Sequence, residues 1–504
     1  MDINEVIEAL ASHWVWPALA WTSQTVAASC VTIHILRSRR ESASALLWIF
    51  LAWSIPFFGP LLYLGFGVDR VSYKALLKES ADEQLREKRN GIEHHAEMRS
   101  YWCGLHEARC SEPVNDVERE LNRIHNGILP DHPLLDGNTL TPLVDGDEWY
   151  PRLFDAIQAA DKSINVMSFI FNGDRVSRQV MELLKQKAES GVRVRLMFDR
   201  FGSTLGVLRG LFRRYRNVPN FTIVGWTQAN PLKRQFQINL RNHRKIVVID
   251  GKRAFFGGLN FADYHWSKTC EVPIRDYHFE VTGPSVLELQ YTFMRDWYFM
   301  TNENPEILLG KEYFPIEKHT GPACMRLVNG GPNLGGGEVL TDSFFAAISA
   351  AKKQVLLVTP YFVPNQDILR ALRIAALRGV DVRLLVPKKN NHRYAGWAGR
   401  GLYEELLEAG VKIYERKPPF MHAKALVVDD CFSLVGSANI DIRSLQLNYE
   451  TNMGVYCSDF AVRLKEVVLA DFELSEQLML SEWIKRPRLY RVLENFCLLM
   501  KPVL

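Results

Sequence analysis

Two histidines in this chain are each followed, at one fixed spacing, by a lysine and an aspartate. His243, Lys245 and Asp250 fall in HRKIVVID, and His422, Lys424 and Asp429 fall in HAKALVVD. The tails agree as well: Gly257, Gly258, Leu259 and Asn260 stand where the second copy has Gly436, Ser437, Ala438 and Asn439. A lone His-x-Lys-x4-Asp is weak evidence, but a duplicated one with a shared tail points to a built site. One imidazole can attack an electrophile while the other protonates a leaving group, and two lysines with two side-chain amides can hold a tetrahedral anion. A phosphodiester suits this set, being anionic before attack and gathering more charge on its equatorial oxygens as bonding changes. An imidazole in either role also needs a carboxylate on its other nitrogen to fix the tautomer. Asp276 in IRDYHFEV and Glu450 in LNYETNMGV stand at matching places ahead of β-prone runs, and either could serve either histidine. As members of the motifs Asp250 and Asp429 join His243, Lys245, His422 and Lys424 in the catalytic set, although their own roles read as mostly structural, bracing turns or pairing with cations.

The elements that must position these groups repeat with them. Ile246–Ile249 and Ala425–Val428 are short β-prone runs, Asp250-Gly251 and Asp429-Asp430 are turn signals, and AFFGG and FSLVG read as return strands of two hairpins. Residues two apart on a strand share a face, so each His and its Lys are expected to project together. IQAADKSINVMSFIF (157–171) aligns with ISAAKKQVLLVTPYF (348–362), and GVRVRLMFD (191–199) with GVDVRLLVP (379–387). The expected fold is α/β: two pseudo-symmetric halves of mixed, mainly parallel sheet flanked by helices, their histidines converging at one seam. The first half spans 136–320 and the second 321–504, with VNGGPNLGGG (328–337) as the joint.

With these residues in place, the chain resembles the phospholipase D superfamily, whose signature is the duplicated HKD motif, and within it the bacterial cardiolipin synthases. The resemblance extends from IPFFGPLLYLGFG near the front through both motif halves to the ending DFELSEQLMLSEWIKRPRLYRVLENFCLLMKPVL. It implies transfer through a phosphatidyl-histidine intermediate without metal or other cofactor, with His243 as nucleophile and His422 as acid and base. It implies phosphatidylglycerol as substrate, with cardiolipin and glycerol as products. Lys245, Lys424, Asn260, Asn439 and Ser437 would support the phosphate. Gly258 departs from the repeat, since Ser437 brings a hydroxyl that the first copy lacks. The same groups would also serve a hydrolase releasing phosphatidic acid or, on another substrate, a phosphodiesterase acting on nucleic acid. The net charge of +4 is too small to argue for nucleic acid as a partner.

The front of the chain suits a membrane. Residues 9–36 and 42–68 contain no Asp, Glu, Lys or Arg, and each is long enough to cross ~30 Å of hydrocarbon as a helix. Two spans are therefore expected, at about 12–36 and 44–66 within a membrane region of 1–68. Two spans put both ends of the region on one side, and the resemblance implies a multi-pass protein of the bacterial inner membrane. Arg37, Arg39 and Arg40 on the connecting loop oppose Arg70, Lys74 and Lys78 beyond the second span as orientation signals. Eight cysteines without CxxC pairs suggest no zinc site or disulfide framework and favour the cytoplasmic face for the catalytic part. Residues 69–135 read as a charged, solvated connector in which His94 and His95 are surface residues. In 203–221, Val207, Leu208, Leu211 and Phe212 recur at helical spacing among Arg209, Arg213, Arg214 and Arg216, as expected for an amphipathic element on anionic lipid or packed on the domain. Nothing in the sequence sets an oligomeric state.

Overall fold

The repeated apolar runs build one long sheet. The computed structural model describes residues 15–37, 42–67, 70–93, 115–226, 240–315, 320–332 and 338–499. In the first half the strands are β1 (Leu135–Val144), β2 (Ser163–Ser168), β3 (Arg193–Asp199), β4 (Phe221–Trp226), β5 (Ile246–Ile249), β6 (Arg253–Gly257) and β7 (Tyr277–Thr282). The second half gives β8 (Ala323–Gly330), β9 (Gln354–Val358), β10 (Phe362–Val363), β11 (Asp381–Pro387), β12 (Lys412–Arg416), β13 (Ala425–Val428), β14 (Phe432–Gly436), β15 (Ile440–Asp441), β16 (Glu450–Tyr456) and β17 (Ser475–Gln477). The sheet runs β17-β12-β11-β9-β13-β14-β16-β8-β1-β7-β6-β5-β2-β3-β4, so the halves mirror each other about the β8–β1 pair. That pair is short and bulged, with Leu135 opposite Met325 and Asn138 opposite Ala323. The joint expected at 328–337 is therefore partly strand, because Val328–Gly330 complete β8, while 333–337 lie outside the described residues.

Only β2–β3–β4 and β9–β11–β12 run parallel within this sheet among the described residues. The expectation of a mainly parallel sheet is corrected. Crossover helices such as Arg175–Glu189 and Gln366–Leu377 demand parallel neighbours, but each motif sits on a tight hairpin whose return strands are antiparallel. The hairpin turns use left-handed backbone at Asp250 (φ 54°), Gly251 (φ 66°), Asp429 (φ 50°) and Asp430 (φ 57°), a region that Asp and Gly enter more readily than other residues.

Each half has its own core. Val166, Leu196, Val247 and Phe255 anchor the first, and Leu357, Leu384, Leu426 and Leu434 the second. Among the described residues, the stretch expected to be a solvated connector packs one face of each of two helices. The helix Asp116–Ile128 opens with an Asn115/Glu118 capping box and buries Val117 and Leu121 in the core of the second half, not the first. The helix Arg70–Glu93 buries Leu85 and also Lys78, which pairs with Asp82 and lies 3.2 Å from Asp296. Burying that ammonium is tolerable because two carboxylates meet it. His94 and His95 fall outside the described residues.

The chain divides into two compact units, 1–74 and 75–504. In the first, Val15–Arg37 is a helix long and apolar enough to span a bilayer. The second expected span is not one continuous helix, which corrects the two-span expectation. It forms Ser42–Ser54, then a bend at Pro56 and Phe57 (φ 62°), then Phe58–Leu62 and a wide turn over Tyr63–Gly67. Proline cannot continue the helical ladder, and Gln24 satisfies the backbone freed there, donating to the Ala52 carbonyl (2.8 Å) and accepting from Phe57 N–H (2.8 Å). Segment 203–221 is likewise not one amphipathic helix. Gly210 (φ 68°) separates a short helix, Thr204–Leu208, from a 3-10 turn, Phe212–Tyr215. Leu211 and Phe212 are buried in the first core, whereas Leu205 and Leu208 are exposed.

Candidate active site

Each motif histidine enters its site on a segment paired with the opposite half. His243 N–H donates to the Tyr449 carbonyl (2.9 Å), and Tyr449 N–H donates to Arg241 (2.9 Å). The second copy repeats this, with His422 N–H on the Arg275 carbonyl (2.7 Å) and Arg275 N–H on Phe420 (3.0 Å). These two short ladders cross the seam. They leave 241–243 and 420–422 outside the regular strands, yet His422 and Lys424 still project together, with Lys424 Nζ 2.7 Å from His422 Nδ1 and 3.1 Å from its Nε2. Each lysine also sets its ammonium on the carbonyl of its own histidine: Lys245 to His243 at 2.7 Å, and Lys424 to His422.

The carboxylates are exchanged between halves. Glu450, from the second half, holds Nδ1 of His243 with both oxygens at 2.9 Å. Asp276, from the first half, holds Nδ1 of His422 at 2.7 Å. Both carboxyl groups are fully buried. Burial pushes the Asp276 carboxyl upward, but Lys424 and His422 together outweigh it and hold it at about 2; Glu450 is likewise below its usual range because His243 and Lys245 outweigh burial. An ionised carboxylate only accepts, so each Nδ1 carries the hydrogen and each Nε2 keeps its lone pair.

Burial dominates the cations. It lowers His243, against the pull of Glu450, and it lowers His422 to about 4 with help from the Lys424 charge. It lowers Lys245 to about 7 and Lys424 to about 8. The lysines and carboxylates of the two halves interact electrostatically: Lys424 acts on His243, and Lys245 on His422 and Asp276. Four cation-capable groups and two carboxylates thus feel one another's charge across the seam, and a bound phosphate anion would raise the proton affinity of all four cations.

The remaining expected residues divide by role. Asp250 and Asp429 do not reach the pocket. They sit at the far end of β5 and β13, roughly 16 Å along the strand from the motif lysines. Asp250 accepts from the backbone N–H groups of Asp161, Lys162 and Ser163 (2.7–2.9 Å), and Asp429 from Lys353 and Gln354 (2.8 and 2.7 Å) and from Lys352. Placing them in the catalytic set is therefore corrected. They tie each motif hairpin to the start of the adjacent strand, in the turn-bracing role their position suggested.

Ser437 donates to Glu450 (2.6 Å) and accepts from Thr451 N–H (3.0 Å), so its hydroxyl orients a carboxylate. The first half has Gly258 there for a steric reason, since a Cβ at that position would lie 2.1 Å from an oxygen of Asp276. The pairs Gly258/Asp276 and Ser437/Glu450 are two solutions to the same problem. Asn260 accepts from Ile170 N–H (3.2 Å), and Asn439 hydrogen-bonds the buried Asp441, which burial pushes up to about 6.

Asp296, Asn242 and Arg244 are the residues that motif spacing did not reveal. Asp296, buried on the helix Ser285–Thr301, accepts from Asn242 Nδ2 (2.8 Å) and Arg244 Nη1 (2.6 Å), the two neighbours of His243. Its other oxygen faces Lys78. Asn242 N–H also donates to Asp199 (3.1 Å) at the end of β3. A polar residue on both sides of a motif histidine was the available signal.

A family model described as "Cardiolipin synthase, PLD-like domain" matches residues 153–297 and 344–471, once in each half, and one described as "Phospholipase_D-nuclease N-terminal" matches 29–67. The cardiolipin synthase of Geobacillus kaustophilus is 34% identical over 510 residues, covering 100% of this chain and 97% of the relative. Cardiolipin synthase A of Pseudomonas syringae pv. syringae is 34% identical over 476 residues, covering 94% and 95%. Among solved structures, the phosphatidylserine synthase of Haemophilus influenzae Rd KW20 superposes with a TM-score of 0.60 at 13% identity, covering 76% of this chain and 100% of that one, a likeness of fold alone. The duplicated motif, the two-fold sheet and the full-length similarity together make this chain a member of the phospholipase D-like cardiolipin synthase family.

Proposed function

We propose that the chain makes cardiolipin and glycerol from two phosphatidylglycerol molecules. His243 Nε2 attacks the phosphorus of one lipid, the bond from phosphorus to the headgroup glycerol breaks, and glycerol leaves with a proton from His422 Nε2. The terminal hydroxyl of a second phosphatidylglycerol then gives its proton to His422 while its oxygen attacks phosphorus. The P–N bond breaks, and His243 returns to its neutral form. One phosphodiester is exchanged for another, so no nucleotide is consumed. Lys245 and Lys424 stand beside the imidazoles to offset charge on the equatorial oxygens. His422, lowered by burial and by Lys424, takes up its proton as the anionic substrate arrives. The observation that carries this assignment is the exchange of carboxylates, which commits both Nδ1 atoms and directs the chemistry to the Nε2 atoms, with Lys424 Nζ 3.1 Å from His422 Nε2.

Anchoring in the inner membrane through the apolar unit, with the catalytic unit on the cytoplasmic face, is part of the same proposal. It is supported by the spanning helix Val15–Arg37 and by free thiols at Cys270, Cys324, Cys431, Cys457 and Cys497 of the catalytic unit. We also propose the division into a connector to residue 135 and halves of 136–320 and 321–504, with the connector helix Asp116–Ile128 docked on the second half. The test is the full-length protein with labelled phosphatidylglycerol alone. Cardiolipin with equimolar glycerol is expected, and phosphatidic acid as the sole product would replace the transferase with a hydrolase.

A further inference from the structure

We infer that the catalytic unit has two lipid-contacting footings of its own, one on each side of the seam, which seat it on an anionic bilayer. The inference rests on the lipid-transferase reading and adds where the bilayer touches.

The first footing follows β3. Phe201, Leu205 and Leu208 are 58%, 50% and 77% exposed, while their neighbours Leu211 and Phe212 are buried. Leu205 and Leu208 are three apart on a helical turn and so share a face. Exposed Arg209, Arg213, Arg214 and Arg216 border them. Phe201 is tied to the site, because the Arg241 guanidinium lies 3.4 Å from its ring centre and Arg241 leads directly into His243.

The second footing occupies the equivalent place after β11. There the helix Arg393–Arg400 carries the terminal helix Arg488–Leu499. Glu494 faces inward, buried and held by Arg486 at 2.6 and 3.0 Å. At 100° per residue, Leu489, Val492, Phe496 and Leu499 fall on the face opposite Glu494. All four are exposed, from 62% to 79%. Lys485 and Arg488 flank them. This footing is also joined to its histidine: Asn391 accepts from Tyr361 OH (2.8 Å), and the Tyr361 ring lies 6.2 Å from the His422 ring.

A narrow apolar stripe bordered by arginine and lysine matches the boundary between headgroups and acyl chains, where the stripe is buried and the cations meet anionic phosphate. Basic borders on both footings favour that partner over a second copy of this chain, whose like-charged edges would repel. Seated this way, each lobe would lower its half of the seam toward substrate lipids.

The test uses the full-length chain in nanodiscs containing phosphatidylglycerol with a photoactivatable diazirine in an acyl chain. Labelling is expected within 200–209 and 488–499 above other surface peptides. Leu208→Glu and Phe496→Glu should each reduce labelling at their own footing by at least about five-fold. Each should also slow cardiolipin formation from bilayer lipid about ten-fold, with turnover of dissolved short-chain phosphatidylglycerol changed less than about two-fold. Absence of label in both segments, crosslinking of the terminal helix to a second protein chain instead of lipid, or equal loss on both substrates would overturn the inference. Labelled footings in a wild-type protein that makes no cardiolipin would overturn the proposed reaction and leave the footings standing.

Discussion

Glu450 and His243 stand 207 positions apart in sequence, on opposite halves of the repeat, yet both carboxylate oxygens lie 2.9 Å from the imidazole Nδ1. Asp276 and His422 repeat the relationship in the reverse direction. Neither half can therefore orient its own histidine, and a half expressed alone would have an imidazole without its carboxylate. The duplication makes one site from two incomplete ones.

Replacing an exchanged carboxylate should disable the histidine of the other half. Glu450→Gln and Asp276→Asn each keep the shape but allow the wrong tautomer, and a loss in kcat on the order of 10²–10⁴ is expected for each. Glu450→Gln should in addition suppress acid-labile, alkali-stable labelling of His243 by radiolabelled lipid in a His422→Ala background. Undiminished labelling would show that Glu450 does not serve the nucleophile.

The motif aspartates should behave differently. Asp250→Ala and Asp429→Ala each strand backbone N–H groups at a strand entry, a cost of about 1–3 kcal/mol per unsatisfied group. A lowered thermal midpoint is expected, with kcat of the folded protein within a few-fold of wild type. A loss of kcat without a change in melting would place these carboxylates in the chemistry after all.

The buried lysines set the alkaline side of the pH profile. Burial lowers Lys245 to about 7 and Lys424 to about 8. Their charged forms, the ones that offset phosphate charge, are therefore lost as pH rises through 7 to 8. The value of kcat/KM, which reports the free enzyme, should fall over that window. Lys245→Arg, whose guanidinium does not deprotonate there, should shift the fall upward even while lowering the maximum. An unchanged alkaline limb in that variant would remove Lys245 from the profile.

Asp296 acts through its neighbours. Removing its charge leaves Arg244 and Lys78 buried with less compensation, a loss of about 3–5 kcal/mol. Asp296→Asn should therefore melt earlier and also lower kcat more than it raises KM, because Asn242 and Arg244 hold the backbone of His243. Lys78→Met, which leaves those two bonds in place, should cost stability while sparing kcat. Equal catalytic loss in both variants would indicate a purely structural role for Asp296.

The sequence made the chemistry legible because a catalytic repeat fixes residue types at fixed spacings. His243, Lys245, His422, Lys424 and both carboxylates came from pattern alone. Their pairing did not, since which carboxylate crosses the seam depends on β1 meeting β8, a contact that leaves no local trace. The sheet was read as too parallel because apolar runs flanked by helices look alike whether the next strand returns by a crossover or a hairpin. Pro56 marked a bend in the second apolar stretch, but where the helix stopped depended on Gln24, reaching across from the first helix to satisfy the opened backbone. Charge density made 69–135 look solvated, whereas Lys78 and Asp296 neutralise one another inside.

The shared seam is tested most directly by an experimental structure of the protein soaked with orthovanadate, which adopts the five-coordinate geometry of a phosphoryl group in transfer. A single vanadate bonded to His243 Nε2, with His422 Nε2 within about 3 Å of its opposite apical oxygen, is the expected result. Vanadate held by one imidazole while the other faces a different cavity would contradict it.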